Sequence, residues 1–241
     1  MPETHPDGSQ QQAARLAGLA LLVSWPLVVY ANFAIQDQLV AGDAAATARN
    51  LLAHAGLFRL GIAFDLVHCA ALLALTVALY TVLKPVHPTF ALLAAAWRAV
   101  YAFAWLRMTL NLFEALRLLG PSPFLAALPP DHLQALARYL LSARFEQYYL
   151  GLLFWGLGST VACALWLKSR YIPKAFALVG LLASAWAAFC AFAFILNPGF
   201  EKAVGLWAFD VPLGLFELAL AFWLLLRGLK GRPQARQGAP A

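Results

Sequence analysis

Residues 175–196, AFALVGLLASAWAAFCAFAFIL, are 22 positions without a charge, and their reading decides the fold. At about 1.5 Å per helical residue the run is about 33 Å long, enough to cross a hydrocarbon layer about 30 Å thick. Gly180, Ser184 and Ala188 recur every fourth position, so one face is lined with small residues on which a neighbouring helix can pack closely.

Working outward, five more stretches have similar length and character: 16–35, 58–83, 88–116, 147–167 and 203–226. The first and fourth spans of the chain are also free of charge. Hydrophobic residues make up 63% and charged residues 12% of the chain, against roughly 25% charged in soluble domains. With 241 residues spread over six spans, no room is left for a separate globular domain. The expected fold is all-α: a single polytopic transmembrane domain with six transmembrane helices and polar tails at 1–14 and 229–241. The bilayer is its first partner. The opening span is longer than the apolar core of a signal peptide and follows an acidic start (Glu3, Asp7), so it reads as a retained anchor.

Six spans put both termini on one side. Arg15, Lys84, Lys168, Arg170, Lys174, Arg227, Lys230, Arg232 and Arg236 collect there against Glu3 and Asp7, a balance of +7. The opposite side has Arg49, Arg59, Arg117, Arg138, Arg144 and Lys202 against Asp37, Asp43, Asp131, Glu146 and Glu201, a balance of +1. The positive-inside rule then makes both termini cytoplasmic. The pI near 9.5 needs no nucleic-acid partner to explain it. Two long loops face outward. In loop 118–146, Leu133, Leu136, Ala137, Leu140 and Leu141 form one apolar stripe, which predicts a short amphipathic helix at the outer interface or over the mouth of the bundle. Loop 36–57 carries a weaker helical pattern after Asp43, with Asn50 and His54 as its polar points.

The chemistry lies in the charges left inside the spans: Asp65, Arg98, Arg107, Glu114, Asp210 and Glu217. Each charge near mid-bilayer costs about 2.5–3.5 kcal/mol on the insertion scale, roughly 12–17 for the five deepest. Such groups must pair, take up a proton or line water. Arg107, Asn111 and Glu114 share one face of the third span at i, i+4 and i+7. Asp210, Gly214 and Glu217 form a second stripe on the sixth span, with Pro212 between them, and Asp65 and His68 share a face of the second. Counting the rise from the span ends puts Asp65 and Asp210 roughly 10 Å in, Arg107 slightly above them, and Arg98 and Glu217 deeper at similar heights. The expected arrangement has the second, third and sixth helices facing one another, Asp65 and Asp210 flanking Arg107, and Glu217 reaching Arg98.

Two meanings of this cluster stay open: interhelical ion pairs that fix the bundle, or a polar, outward-opening cavity for a small molecule, ion or lipid headgroup. The candidate ligand-binding residues are Asp65, His68, Arg98, Arg107, Asn111, Glu114, Asp210 and Glu217. The leading reading is a non-enzymatic binding protein of transporter or sensory type. The alternatives are a membrane-embedded enzyme acting on a lipid or lipid-linked substrate, with Asp65, His68 or Asp210 as acid/base groups, and a structural subunit. No cofactor, metal or catalytic set is expected. Cys69, Cys163 and Cys190 lie in different spans without ligand spacing, and His-Glu-x-x-His, Gly-rich phosphate-loop and Cys-x-x-Cys motifs are missing. Gly156-Leu157-Gly158-Ser159 has a faint likeness to a serine-protease segment, but His68 is counted to a different depth. Comparison of spans one to three with four to six gives no convincing inverted repeat of the kind transporters show.

Arg15-Leu16-Ala17-Gly18, Leu57-Phe58-Arg59 leading to Asp65, Ala78 to Val86 and Arg98 together resemble the domain-of-unknown-function 4386 family of bacterial six-pass proteins. Ser169-Arg170-Tyr171-Ile172-Pro173-Lys174 and the ending Glu217 to Gly228 extend the resemblance over nearly the whole chain. The resemblance implies a bacterial cytoplasmic membrane and a helical bundle, and it carries no activity. The family pattern has an acid soon after the third-span arginine. Val100-Tyr101 stand there in this chain, which leaves Glu217 as the partner for Arg98.

Overall fold

The computed structural model of the chain describes residues 6–197 and 199–231. Glu3, Arg232 and Arg236 of the charge count lie outside the described residues, as do most positions of the 229–241 tail. Six helices are long and apolar enough to cross a membrane, and no strand occurs among the described residues. The long helices are α1 (Gly8–Leu39), α3 (Ala55–Leu83), α4 (Pro88–Leu119), α6 (Arg144–Ser169), α7 (Lys174–Leu196) and α8 (Leu206–Leu226). Two shorter helices, α2 (Ala44–Ala53) and α5 (Pro130–Ser142), occupy the two long loops.

Each spanning helix packs against the next in chain order, and α8 returns to α1, so the six close into a ring. The ring follows from where small residues fall. On α7 the buried side is Ala177, Gly180, Ala183, Ser184, Ala187 and Ala188, while Leu182, Phe189 and Phe192 point outward. In lipid, apolar bulk on the outside costs nothing, and close backbone approach supplies the packing. At Gly156 a Cβ would sit 2.7 Å from the Ala188 backbone nitrogen and 2.9 Å from the Ser184 carbonyl oxygen. α6 and α7 can lie this close only because no side chain intervenes there.

α1 begins earlier than the sequence pattern suggested. Asp7 caps it, accepting from the Gln10 amide at 2.7 Å, while the Gln10 side chain bonds back to the Asp7 amide. This reciprocal box satisfies amides that a helix start leaves open, and the Gln10 amide holds the Asp7 carboxyl below its usual range. The extra turns tie the terminal end together. Gln10 Nε2 donates to the Val82 carbonyl at 3.0 Å, and Gln11 exchanges two hydrogen bonds with the Leu229 backbone. Gly228 allows this: its φ is +63°, and a Cβ there would meet Gln11 Oε1 at 2.5 Å. The Lys230 amide bonds to the Tyr171 carbonyl at 2.9 Å, so the start of α1, the loop before α7 and the segment after α8 meet on one face.

At the other end α1 carries Pro26 and then widens into a π-helical turn at Tyr30–Gln36. Proline removes one backbone donor and disturbs the helical ladder, and π-turns re-aim the side chains that follow. Here those side chains are Gln36 and Asp37. α5 is the loop helix, and it rests on the bundle through Ala137 and Leu141, with Leu133 and Leu140 half-buried. Leu136, expected on the same stripe, is exposed. α5 runs into α6 across the single residue Ala143, which places Arg144 at the rim of the ring.

Candidate functional site

A cavity of about 230 Å³ occupies the ring interior, lined from α1, α3, α4, α6 and α8. Its wall extends from buried Glu217 and Trp155 to Val29, Phe33 and Phe145, which are about half-exposed at the end away from the termini.

The deepest charge pair is Arg98 with Glu217. Arg98 Nη1 lies 2.8 Å from Glu217 Oε1, and both side chains are 5% exposed. The same carboxylate oxygen accepts from Trp155 Nε1 at 2.7 Å and from the Ser159 hydroxyl at 3.2 Å. Arg98 also donates to Ser159 Oγ at 2.7 Å. Gly158 makes room for the arginine stem, since a Cβ there would meet Arg98 Cγ at 2.8 Å. Depth counting placed this pair correctly. Ser159 is part of it and has no histidine beside it.

Asp65 has a different neighbourhood from the one expected. Its carboxylate accepts from Gln36 Nε2 at 2.8 Å and from Trp105 Nε1 at 3.4 Å. Gln36 Oε1 in turn accepts from Arg144 Nη1 at 2.6 Å, and Arg144 Nη2 pairs with Asp37 at 2.6 Å. The amide of Gln36 thus joins a cation on α6 to an acid on α3. His68 sits on the cavity wall with Nδ1 3.1 Å from Ser24 Oγ and its ring edge-on to Trp105 at 4.6 Å. Its Nε2 is buried and has no hydrogen-bond partner. Asp210 lines the cavity beside Tyr148, which stands on the same wall.

Arg107 does not stand between Asp65 and Asp210. It turns outward, bonding to Asn111 and lying 3.6 Å from Glu114, with both charged side chains about half-exposed. The spacing that made these residues one stripe also lets them satisfy one another on a single helix. Asn111 is fully buried and passes its amide to Gln147 on α6 at 3.0 Å. Of the residues singled out by sequence, the cavity wall therefore holds His68, Asp210 and Glu217, with Arg98 and Asp65 directly behind it. Arg107 and Glu114 are peripheral, and Asn111 is an interhelical brace.

Sequence reasoning does not single out Arg144, Gln36 and Asp37, which fall in the expected loops 118–146 and 36–57, or Ser24, Tyr148 and Trp105, which are neutral. Arg144 falls three residues before a charge-free span, and that proximity was the available signal. Among the described residues no cluster of histidine, cysteine, aspartate or glutamate is arranged to hold a metal ion, and the three cysteines are buried free thiols.

Six apolar helices closed around charged and aromatic groups define a multi-pass helical membrane protein with charged residues inside the bundle. The chain belongs to the family described as domain of unknown function (DUF4386), whose model matches residues 16–228. No curated protein and no solved structure gives a match.

Proposed function

We propose that this protein binds a small molecule or lipid headgroup in the central cavity, which opens to the outer face of a bacterial cytoplasmic membrane while both termini stay inside. The observation that carries the reading is the cavity itself. Five helices contribute its wall, and Asp210, His68 and the Arg144–Asp37 pair stand on it. A bundle that needed ion pairs only for cohesion has reason to close this space, because van der Waals contact is what holds helices together in lipid. α5 is continuous with the segment that presents Arg144, which joins a loop helix to the rim of the cavity.

Native mass spectrometry of gently purified protein tests this. Wild type is expected to carry a lipid or metabolite that is lost from Asp210→Asn and Arg144→Gln. Equal retention by all three, or a bare protein in every case, argues against a site.

The second reading is an enzyme acting on a lipid-linked substrate, and it draws on the Ser24–His68 hydrogen bond at the cavity wall. A serine-reactive fluorophosphonate distinguishes the two. Labelling of Ser24 that disappears in His68→Gln supports the enzyme, and an unlabelled Ser24 leaves the binding reading.

A further inference from the structure

We propose that the group bound in this cavity is an ammonium cation, held by the Asp210 carboxylate against an aromatic wall. The inference rests on the cavity being a binding site and specifies what that site accepts.

Charge pairing is the first ground. Arg98 is taken by Glu217 and Arg144 by Asp37, each in direct contact. Asp65 has only the neutral donors Gln36 and Trp105, and Asp210 has the neutral Tyr148 beside it and no cation in direct contact. Two guanidinium groups thus stand against four carboxylates around the cavity. A carboxylate inside a membrane bundle calls for a counter-charge, and of Asp65 and Asp210 the second is the one that lines the open space. An anionic ligand would meet Asp210 and Glu217 and find both guanidinium groups occupied.

The wall chemistry is the second ground. Tyr101 stacks on Trp155 with centroids 5.3 Å apart, and Trp105 meets Tyr101 at 6.0 Å and Tyr148 at 5.8 Å. These four rings form a connected panel beside Asp210. The indole nitrogens of Trp105 and Trp155 are committed to Asp65 and Glu217, which fixes both rings in place. Aromatic rings near a carboxylate are the standard chemistry for ammonium recognition. His68 is independent of both grounds. It lines the same cavity, is 5% exposed, and leaves Nε2 without a partner. In the tautomer that donates from Nδ1 to Ser24, Nε2 is a buried acceptor with no partner in the protein.

An ammonium reaches such a site from two sources: a free amine, or the headgroup of phosphatidylethanolamine. Val29, Phe33 and Phe145 at the mouth present an apolar rim that suits acyl chains. The chemistry at Asp210 is the same for both.

The experiment uses the full chain in maltoside detergent and follows intrinsic tryptophan fluorescence, because Trp25, Trp105 and Trp155 line the cavity. Ethanolamine, choline, ethylene glycol, acetate and short-chain phosphatidylethanolamine and phosphatidylglycerol are titrated in turn. Saturable change is expected with the ammonium compounds alone, weakened at least about tenfold in Asp210→Asn, as loss of a charge-assisted contact implies. Recovery in Asp210→Glu and unaltered binding in Arg107→Gln show that the loss is local. Response to ethanolamine identifies a free-amine site, and response to phosphatidylethanolamine alone identifies a headgroup site. Equal binding of ethylene glycol, acetate or phosphatidylglycerol overturns the ammonium assignment and leaves a binding cavity of other specificity. Silence across the panel with a co-purified species still present in native mass spectra does the same, whereas silence with no such species removes the binding site as well.

Discussion

Replacing Glu217 by methionine removes a carboxylate whose Oε1 receives three donors. Arg98 then keeps Ser159 Oγ alone, and the Trp155 N–H is orphaned. Leaving one member of a buried pair costs about 3–5 kcal/mol in soluble proteins. The insertion scale gives about 2.5–3.5 for a lone central arginine, so at least about 3 kcal/mol is expected. Arg98→Met should cost less, about 2 kcal/mol. The carboxylate keeps Trp155 and Ser159, and a stranded carboxyl can take up a proton whereas a guanidinium cannot shed one. The double variant Arg98→Met/Glu217→Met leaves no charge behind and should fall within about 1 kcal/mol of wild type, since buried pairs are often replaceable by apolar residues. Denaturant unfolding in mixed micelles, followed by tryptophan fluorescence, measures all three. Single variants within about 0.5 kcal/mol of wild type, or a double variant as weak as the worse single, would refute the reasoning.

Gly156→Ala should lose about 1–3 kcal/mol of stability in the same assay, because its new methyl group meets backbone atoms of α7 that cannot rotate away. Arg144→Gln breaks the link from Asp37 through Gln36 to Asp65 and should loosen the rim. In a Cys163→Ala/Cys190→Ala background, maleimide labelling of Cys69 is expected to accelerate, and an unchanged rate would deny the rim a closing role. Neutralising the half-exposed pair with Arg107→Gln and Glu114→Gln should leave the unfolding midpoint unmoved, and a loss comparable to Glu217→Met would show that the pair is internal. A reporter fused after residue 241 is expected to be active only on the cytoplasmic side, and periplasmic activity would reverse the orientation.

Lipid penalises unsatisfied backbone so strongly that spans of apolar residues announce themselves, and all six were legible for that reason. The Arg98–Glu217 pair was legible too. Depth along a helix follows from rise alone, and few groups compete at that level. What rise cannot give is direction across the bundle. Arg107 had a sufficient partner one turn away on its own helix, and a local contact prevailed over a distant one. Arg144 pairs with Asp37 across 107 positions, which depends on α1 continuing past the predicted end at residue 35 through its π-turn. No composition signal separates such a continuation from a loop. Sequence left open whether the charges seal in pairs or surround a cavity, because volume depends on how rings such as Trp105 and Trp155 are pinned, and their hydrogen bonds are tertiary.

A ring closed by its last helix has a consequence for biosynthesis. Glu217 is made 119 residues after Arg98, which at about 5–20 residues per second is a delay of roughly 6–24 s. Throughout that interval the arginine is already in or near the membrane without its carboxylate. The translocation machinery, a chaperone or water must shelter it. A ribosome that stops before α8 releases a chain whose Arg98 guanidinium lacks its carboxylate.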